Sequence, residues 1–296
     1  MQVPAHVEYE RARSVEHALS LLSRYGPEAR ILAGGHSLIP MMKLRIAQPE
    51  VLIDINGLTD LCHINVSDHE LLIGSLARHS QLLDCEAVGE HYAILRDAEN
   101  VIADPIVRNW GTVGGSLCQA DPSEDLSAAF AAVKGIMVIR GQDGTRTVSA
   151  REFHTGPYET VVEPGEILIE IRLPVRPGGG SGYLKVARRV GDWPVGAAGA
   201  AVWLDGDVIT DAGIGLAAVG ARHFAAPEAE HYLRGRPATK EHFARAGEIA
   251  AETCQPVSDQ RGPADYKRHL ARELTARVLA VAARRSRDRG PAGPTG

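Results

Sequence analysis

NWGTVGGSLCQADPSEDLSAAFAAVKG, residues 109–135, decides how the rest of the chain is read. Gly111, Gly114 and Gly115 surround Thr112 and Val113 in a turn where the backbone can approach a ligand or take φ > 0. Asp121-Pro122-Ser123-Glu124 then reads as a helix opening, with Asp121 as N-cap, Pro122 at the first helical position and Glu124 closing a capping box. The spacing predicts a helix through Leu126, Ala129, Phe130 and Val133 that stops at Gly135 as a left-handed terminator. A glycine turn joined to a helix start serves either a tight packing corner or an anionic ligand.

A second turn of this kind lies upstream. Ser14 caps a short amphipathic helix ending before Gly26-Pro27, and Ala29–Ala33 reads as a buried strand. Gly34-Gly35-His36-Ser37 follows, then a helix from Leu38 to Leu44 capped by Ser37, and a strand over Pro49–Ile55. That is the size of a βαβ element, with its glycine turn at the end of a strand, where N–H groups favour an anion. Downstream, Leu61–Ile73 is strand-like with a turn at Ser67-Asp68-His69, and Ser80–Val88 and Tyr92–Val101 are predicted helices. Gly135–Arg140 and Thr145–Val148 form a hairpin turning at Gln142-Asp143-Gly144, and Glu166–Leu173 alternates as a half-buried strand. Pro177-Gly178-Gly179-Gly180-Ser181-Gly182 reads as a linker into a separate α+β domain. That domain has strands over Gly182–Arg189, Ala197–Leu204 and Asp211–Val219, then helices over Glu228–Leu233, Lys240–Glu252 and Ala264–Arg284. The polar, Pro/Gly-rich end is expected to be disordered.

The totals exclude several classes. The chain has 296 residues, room for two or three packed units, and a net charge of only -5, which offers no bulk attraction to nucleic acid. No apolar run approaches the roughly 20 residues of a membrane span, and no signal-peptide core opens the chain, so the expected location is the cytoplasm. Cys62, Cys85, Cys118 and Cys254 are too scattered for a disulfide framework or an iron–sulfur cluster. The twelve histidines form no H-E-x-x-H or other metal-ligand spacing, so no metal site is expected in this chain. No nucleophile or acid–base constellation marks a catalytic residue. Neither turn spells G-x-G-x-x-G or a P-loop. Together they suggest a two-phosphate cofactor held between two lobes, with His36 able to donate to phosphate. Asp104 and Asp121, each before a proline, read as turn and cap residues.

AGGHSLIPMMKLR (33–45) and NWGTVGGSLCQADPSEDLSAAF (109–130) resemble the two FAD-binding signatures of the medium, flavoprotein subunit of molybdenum hydroxylases. That family includes carbon monoxide dehydrogenase-type and xanthine dehydrogenase-type enzymes. EFHTGPYETVVEPGEILIEIRLP (152–174) and YLKVARRVGDWPVGAAGAAV (183–202) continue the resemblance in family order, the GDWP segment being nearer the carbon monoxide dehydrogenase branch. The resemblance implies an α+β chain: a two-subdomain, PCMH-type FAD-binding domain (1–57 and 58–176), a C-terminal α+β domain (177–285) and a disordered tail (286–296). Ala33, Gly34, Gly35, His36 and Ser37 would wrap the pyrophosphate with backbone N–H groups. Gly111, Thr112, Gly114 and Gly115 would form the second wall, Thr112 donating its hydroxyl. Ile102 or Ala103 would pack near the flavin, Asp125 would meet a polar edge of the cofactor, and Leu168 would add an apolar contact. Lys185 would bring a charge close to the isoalloxazine. Trp193 would stack on the flavin or, on general grounds, belong to a core. The implied role is electron transfer through FAD from 2Fe-2S clusters to an external acceptor. The clusters would sit in a small subunit and the molybdenum cofactor in a large one, as a dimer of heterotrimers. The alternatives are a free-standing FAD-dependent oxidoreductase acting on a small molecule, and a binding module that has lost its redox role.

Overall fold

The computed structural model of the chain describes residues 3–67 and 69–289. The first lobe is β1 (Glu8–Arg11), α1 (Val15–Tyr25), β2 (Ala29–Leu32), α2 (Leu38–Lys43) and β3 (Val51–Asp54). Its sheet has the order β1-β3-β2 and is parallel throughout, with Val51 opposite both Glu8 and Ala29. The Ser14 side chain accepts from the His17 N–H as expected of an N-cap, and Ala18, Leu19, Leu21 and Leu22 are buried on one face of α1. Ser37 occupies the N-cap position of α2 without a side-chain bond. The sequence reading missed β1. Glu8, Tyr9 and Arg11 are exposed on this edge strand, so no apolar alternation betrays it.

The second lobe runs β4 (Ile64–Val66), β5 (Glu70–Gly74), α3 (His79–Asp84), α4 (Glu86–His91), α5 (Ala93–Val101), α6 (Pro105–Trp110), α7 (Val113–Gln119) and α8 (Asp125–Ala132). It closes with β6 (Ile136–Gly141), β7 (Gly144–Ser149), α9 (Ala150–Phe153), β8 (His154–Gly156), β9 (Glu159–Thr160) and β10 (Ile167–Pro174). Its five-stranded sheet has the order β4-β5-β10-β6-β7, all pairs antiparallel. Asp68 of the expected turn lies outside the described residues. The expected helix Ser80–Val88 is two helices meeting at Cys85, whose extended backbone (φ -72, ψ 116) breaks the turn.

The helix α8 corrects three details. Its N-cap is Glu124, whose carboxylate accepts from the Ser127 N–H at 2.9 Å. Asp121 instead closes a tight turn by accepting from the Ser123 N–H, and it also accepts from the Tyr158 hydroxyl. At the other end Lys134, not Gly135, takes the left-handed conformation (φ +57). Gly135 N–H then donates to Phe130 O and Lys134 N–H to Ala131 O, a Schellman closure. Every residue of α8 is buried, because it lies between the second lobe and the C-terminal sheet.

That sheet is an antiparallel meander of β11 (Gly179–Ala187), β12 (Pro194–Asp205) and β13 (Val208–Ala217), followed by α10 (Pro227–Leu233), α11 (Lys240–Thr253) and α12 (Ala264–Asp288). The expected linker is a strand: Gly179 to Gly182 are buried in β11 opposite Trp203 to Ala200 of β12. The glycines serve close packing, since a Cβ at Gly180 would stand 2.1 Å from the Ala282 carbonyl of α12. On the opposite face a Cβ at Gly213 or Gly215 would stand 1.8 Å from a carbonyl of α8. The sheet is thus sandwiched between α8 and α12, and Tyr183, Ala197 and Ala201 join the core of the second lobe. The C-terminal α+β unit therefore packs directly on the second lobe, with a strand where a free linker was expected. Residues 286–288 of the expected tail are helical within α12, and its residues 290–296 lie outside the described residues.

Candidate functional site

Where the three units meet there is a cavity of about 690 Å³, within the size range of cofactor sites. All the residues assigned to the cofactor in the sequence reading line it. The first wall is the turn Ala33–Ser37 between β2 and α2, with Gly35 at φ +78. Among the described residues, the backbone N–H groups of Gly34, Gly35, His36, Ser37 and Leu38 have no hydrogen-bond partner. Successive unpaired donors around a left-handed glycine form a concave, anion-seeking nest.

The second turn is built differently. Gly114 and Gly115 lie inside α7, which Thr112 caps by accepting from the Gly115 N–H at 3.1 Å. The neighbouring donors are engaged too: Gly111 N–H to Val107 O, Val113 N–H to Ala77 O, Gly114 N–H to Ser75 O, and Ser116 N–H to Thr112 O. The second turn offers the hydroxyls of Thr112 and Ser116 and, of its amides from Gly111 to Ser116, the Thr112 N–H alone is without a partner among the described residues. Its glycines also answer to packing. A Cβ at Gly114 would stand 2.6 Å from the Ser75 Cβ, and one at Gly111 would stand 2.7 Å from the His79 ring.

A polar bridge holds the two turns together. Asn56 Nδ2 donates to Ala33 O at 2.6 Å, and Arg78 Nη2 donates to Asn56 Oδ1 at 2.9 Å. The same guanidinium donates to the Trp110 carbonyl, so one side chain spans the lobes.

At the far end, Asp125 is buried and accepts from Lys185 Nζ at 2.7 Å and from the Tyr183 hydroxyl at 2.8 Å. Burial raises the Asp125 carboxyl above its usual range, with Lys185 and Tyr183 opposing that rise. Lys185 also donates to Val101 O, so its ammonium is compensated rather than free to present a bare charge to a ligand. Ile102 and Leu168 are buried, and Ala103 holds a positive φ of 44° beneath Gly191 of the β11–β12 loop. Trp193 on that loop is 41% exposed at the cavity mouth, which excludes the core reading.

The structure adds polar groups that the sequence reading passed over. His79 and Glu99 are buried together, His79 Nδ1 lying 2.9 Å from Glu99 Oε1 and Nε2 lying 3.1 Å from Ser116 Oγ on the cavity wall. The signal for Glu99 was present: it falls on the apolar stripe of α5 with Leu95 and Ala98. Glu124 also lines the cavity, and burial, then the charge of Asp125, pushes its carboxyl up to about 7. Among the described residues no group of three or more His, Cys, Asp or Glu could hold a metal, and no helix is long and apolar enough to cross a membrane.

Comparisons with known proteins agree with this layout. Residues 5–176 match the FAD binding domain in molybdopterin dehydrogenase, and residues 181–282 match the CO dehydrogenase flavoprotein C-terminal domain. The carbon monoxide dehydrogenase medium chain of Hydrogenophaga pseudoflava is 37% identical over 95% of this chain and 98% of its own length. The 6-hydroxypseudooxynicotine dehydrogenase complex subunit alpha of Paenarthrobacter nicotinovorans is 34% identical over 96% and 97%. A solved structure of carbon monoxide dehydrogenase from Hydrogenophaga pseudoflava superposes with a TM-score of 0.93 at 39% identity, covering 96% of this chain and 99% of that one. Quinoline 2-oxidoreductase from Pseudomonas putida 86 superposes at 0.89 and 32% identity, covering 95% and 98%.

Proposed function

This chain belongs to the FAD-binding medium-chain family of molybdenum hydroxylases, and from that premise we propose that it is the electron-transferring flavoprotein subunit of such an enzyme. It works in the cytoplasm with a small 2Fe-2S subunit and a large molybdenum-cofactor subunit, as a dimer of heterotrimers. When bound, FAD would supply the redox chemistry between one-electron iron–sulfur donors and an external acceptor. The observation that carries the reading is the run of unpaired N–H groups from Gly34 to Leu38, in a turn that lines a cavity of cofactor size.

The residues present fit that cofactor. The nest would hold a diphosphate, and the Thr112 hydroxyl offers a further donor, its oxygen already fixed by the Gly115 N–H. Asp125, tied by Lys185 and Tyr183, would supply an oriented polar edge, while Ile102, Leu168 and the Trp193 ring would give the cofactor apolar contacts. Substrate chemistry belongs to the large subunit, so this chain leaves the substrate open. Its relatives serve enzymes named for carbon monoxide, glyceraldehyde and nicotine.

Purification of the chain and reconstitution with FAD should give a yellow protein with a stoichiometric flavin spectrum. A colourless product after reconstitution would sink the proposal. Bleaching of that flavin by a small organic substrate, with no partner subunit added, would instead favour the free-standing oxidoreductase.

A further inference from the structure

His79, Glu99 and Ser116 form a hydrogen-bonded line from the protein interior to the cavity. Glu99 is fully buried on α5 and fixes the imidazole through Nδ1, which must carry a proton to meet a carboxylate. The opposite nitrogen, Nε2, meets Ser116 Oγ at 3.1 Å, and Ser116 lines the cavity on α7. The start of α7 faces the first turn, since a Cβ at Gly115 would lie 4.0 Å from that of Ala33.

The contact between Nε2 and the hydroxyl has two states. If Nε2 carries a proton it donates to Ser116 Oγ, and the serine hydrogen is free to point into the cavity. If Nε2 is bare it must accept that hydrogen, and the serine shows the cavity only lone pairs. A donor suits an anionic oxygen, whereas lone pairs repel one.

We infer that His79 sets the hydrogen-bond polarity of the Ser116 hydroxyl, so that a diphosphate in this cavity is held more tightly while Nε2 is protonated. The inference rests on the FAD reading above and adds to it a proton that travels with the cofactor. His79 is faced by Glu99 from α5, by Arg108 from α6 and by Glu124 ahead of α8. Burial opposes the charged imidazole, and Arg108 opposes it weakly. The charge and hydrogen bond of Glu99, assisted by Glu124, outweigh both and lift His79 above its ordinary range. The imidazolium is therefore held to higher pH than in a free histidine and is lost as pH rises.

The test is a titration of the full-length, cofactor-stripped chain with FAD, followed by quenching of flavin fluorescence at about pH 6 and about pH 9. FAD should bind about tenfold more weakly at the higher pH, the size expected for losing one charge-assisted hydrogen bond. Riboflavin, which has no diphosphate, should show no such response. Ser116→Ala should bind FAD more weakly at the lower pH and lose the response. His79→Gln, whose amide donates at any pH, should also lose it. Should that variant fail to fold, Ser116→Ala and riboflavin carry the test. Glu124→Gln should keep the response, separating His79 from its titratable neighbour. A response that survives in Ser116→Ala, appears equally with riboflavin, or vanishes only in Glu124→Gln overturns the inference. A wild-type chain that binds FAD without pH dependence overturns this inference alone; one that binds no FAD at any pH removes the FAD reading as well.

Discussion

Gly34 lies against Trp110 so closely that a Cβ at residue 34 would stand 2.3 Å from the Trp110 carbonyl oxygen and 2.8 Å from Gly111 Cα. The two glycine turns therefore touch each other, and Gly34 is required by that contact whatever the cavity holds. Replacement at this site shifts a backbone rather than a flexible side-chain end. Gly34→Ala should destabilise the cofactor-free chain by about 1–3 kcal/mol and also weaken FAD binding. Thermal unfolding of the apo form checks this. An unchanged apo transition with lost binding would show that Gly34 answers only to the ligand.

Asp125 and Lys185 are an ion pair with both side chains 4% exposed, so removing one partner strands the other in a poorly solvated site. Asp125→Asn should cost about 3–5 kcal/mol of stability. The double variant Asp125→Asn/Lys185→Met should recover part of that loss, because no bare charge remains. Denaturant titrations of the single and double variants form the cycle that measures the coupling. Strictly additive losses would mean that the pair does not act as a unit.

Glu124 predicts a particular pH slope. Its carboxyl is raised from an ordinary 4.5 to about 7, first by burial and then by the charge of Asp125. Between those values the folded chain holds a proton that the unfolded chain has released, so stability falls as pH rises across the window. Glu124→Gln keeps an oxygen for the Ser127 N–H yet cannot ionise. The variant should gain on the wild type from pH about 5 to about 8, by up to about 3 kcal/mol. Unfolding free energies at both pH values decide it, and parallel curves would contradict the assignment.

Trp193 should separate stability from cofactor chemistry. Its ring lies at the mouth of the cavity, 41% exposed, outside the three cores. Trp193→Ala should leave apo stability within about 0.5 kcal/mol of the wild type. The same change should alter the absorption of bound FAD and its rate of reduction by dithionite, because the flavin end loses its cover. An unaltered flavin spectrum and rate would place the ring away from the cofactor.

Much of the layout is local and therefore readable. Ser14 and Asp104 cap the helices that follow them, and the hairpin turns at Gln142 and Asp143, because caps and tight turns are decided within a few residues. Misreadings arose where distant segments decide. Gly179 to Gly182 look like a linker by composition, yet they are a strand because α12 arrives from a hundred residues away and leaves no room for side chains. Asp121 has every local mark of a cap, but Tyr158 and the tight turn claim its carboxylate and Glu124 takes the role.

The chain's own order of residues sufficed to identify two glycine turns beside helices, the flavoprotein family they resemble and the set of residues that meet around one cavity. It could not tell which turn keeps its amides free. Gly34 to Leu38 do, whereas the donors of Gly111 and of Val113 to Ser116 are occupied, two of them by Ser75 and Ala77. Nor could it show that His79 and Glu99, twenty residues apart, are buried as a pair behind Ser116. A turn's conformation follows from nearby residues, but whether its polar groups remain available depends on what the rest of the fold brings against them.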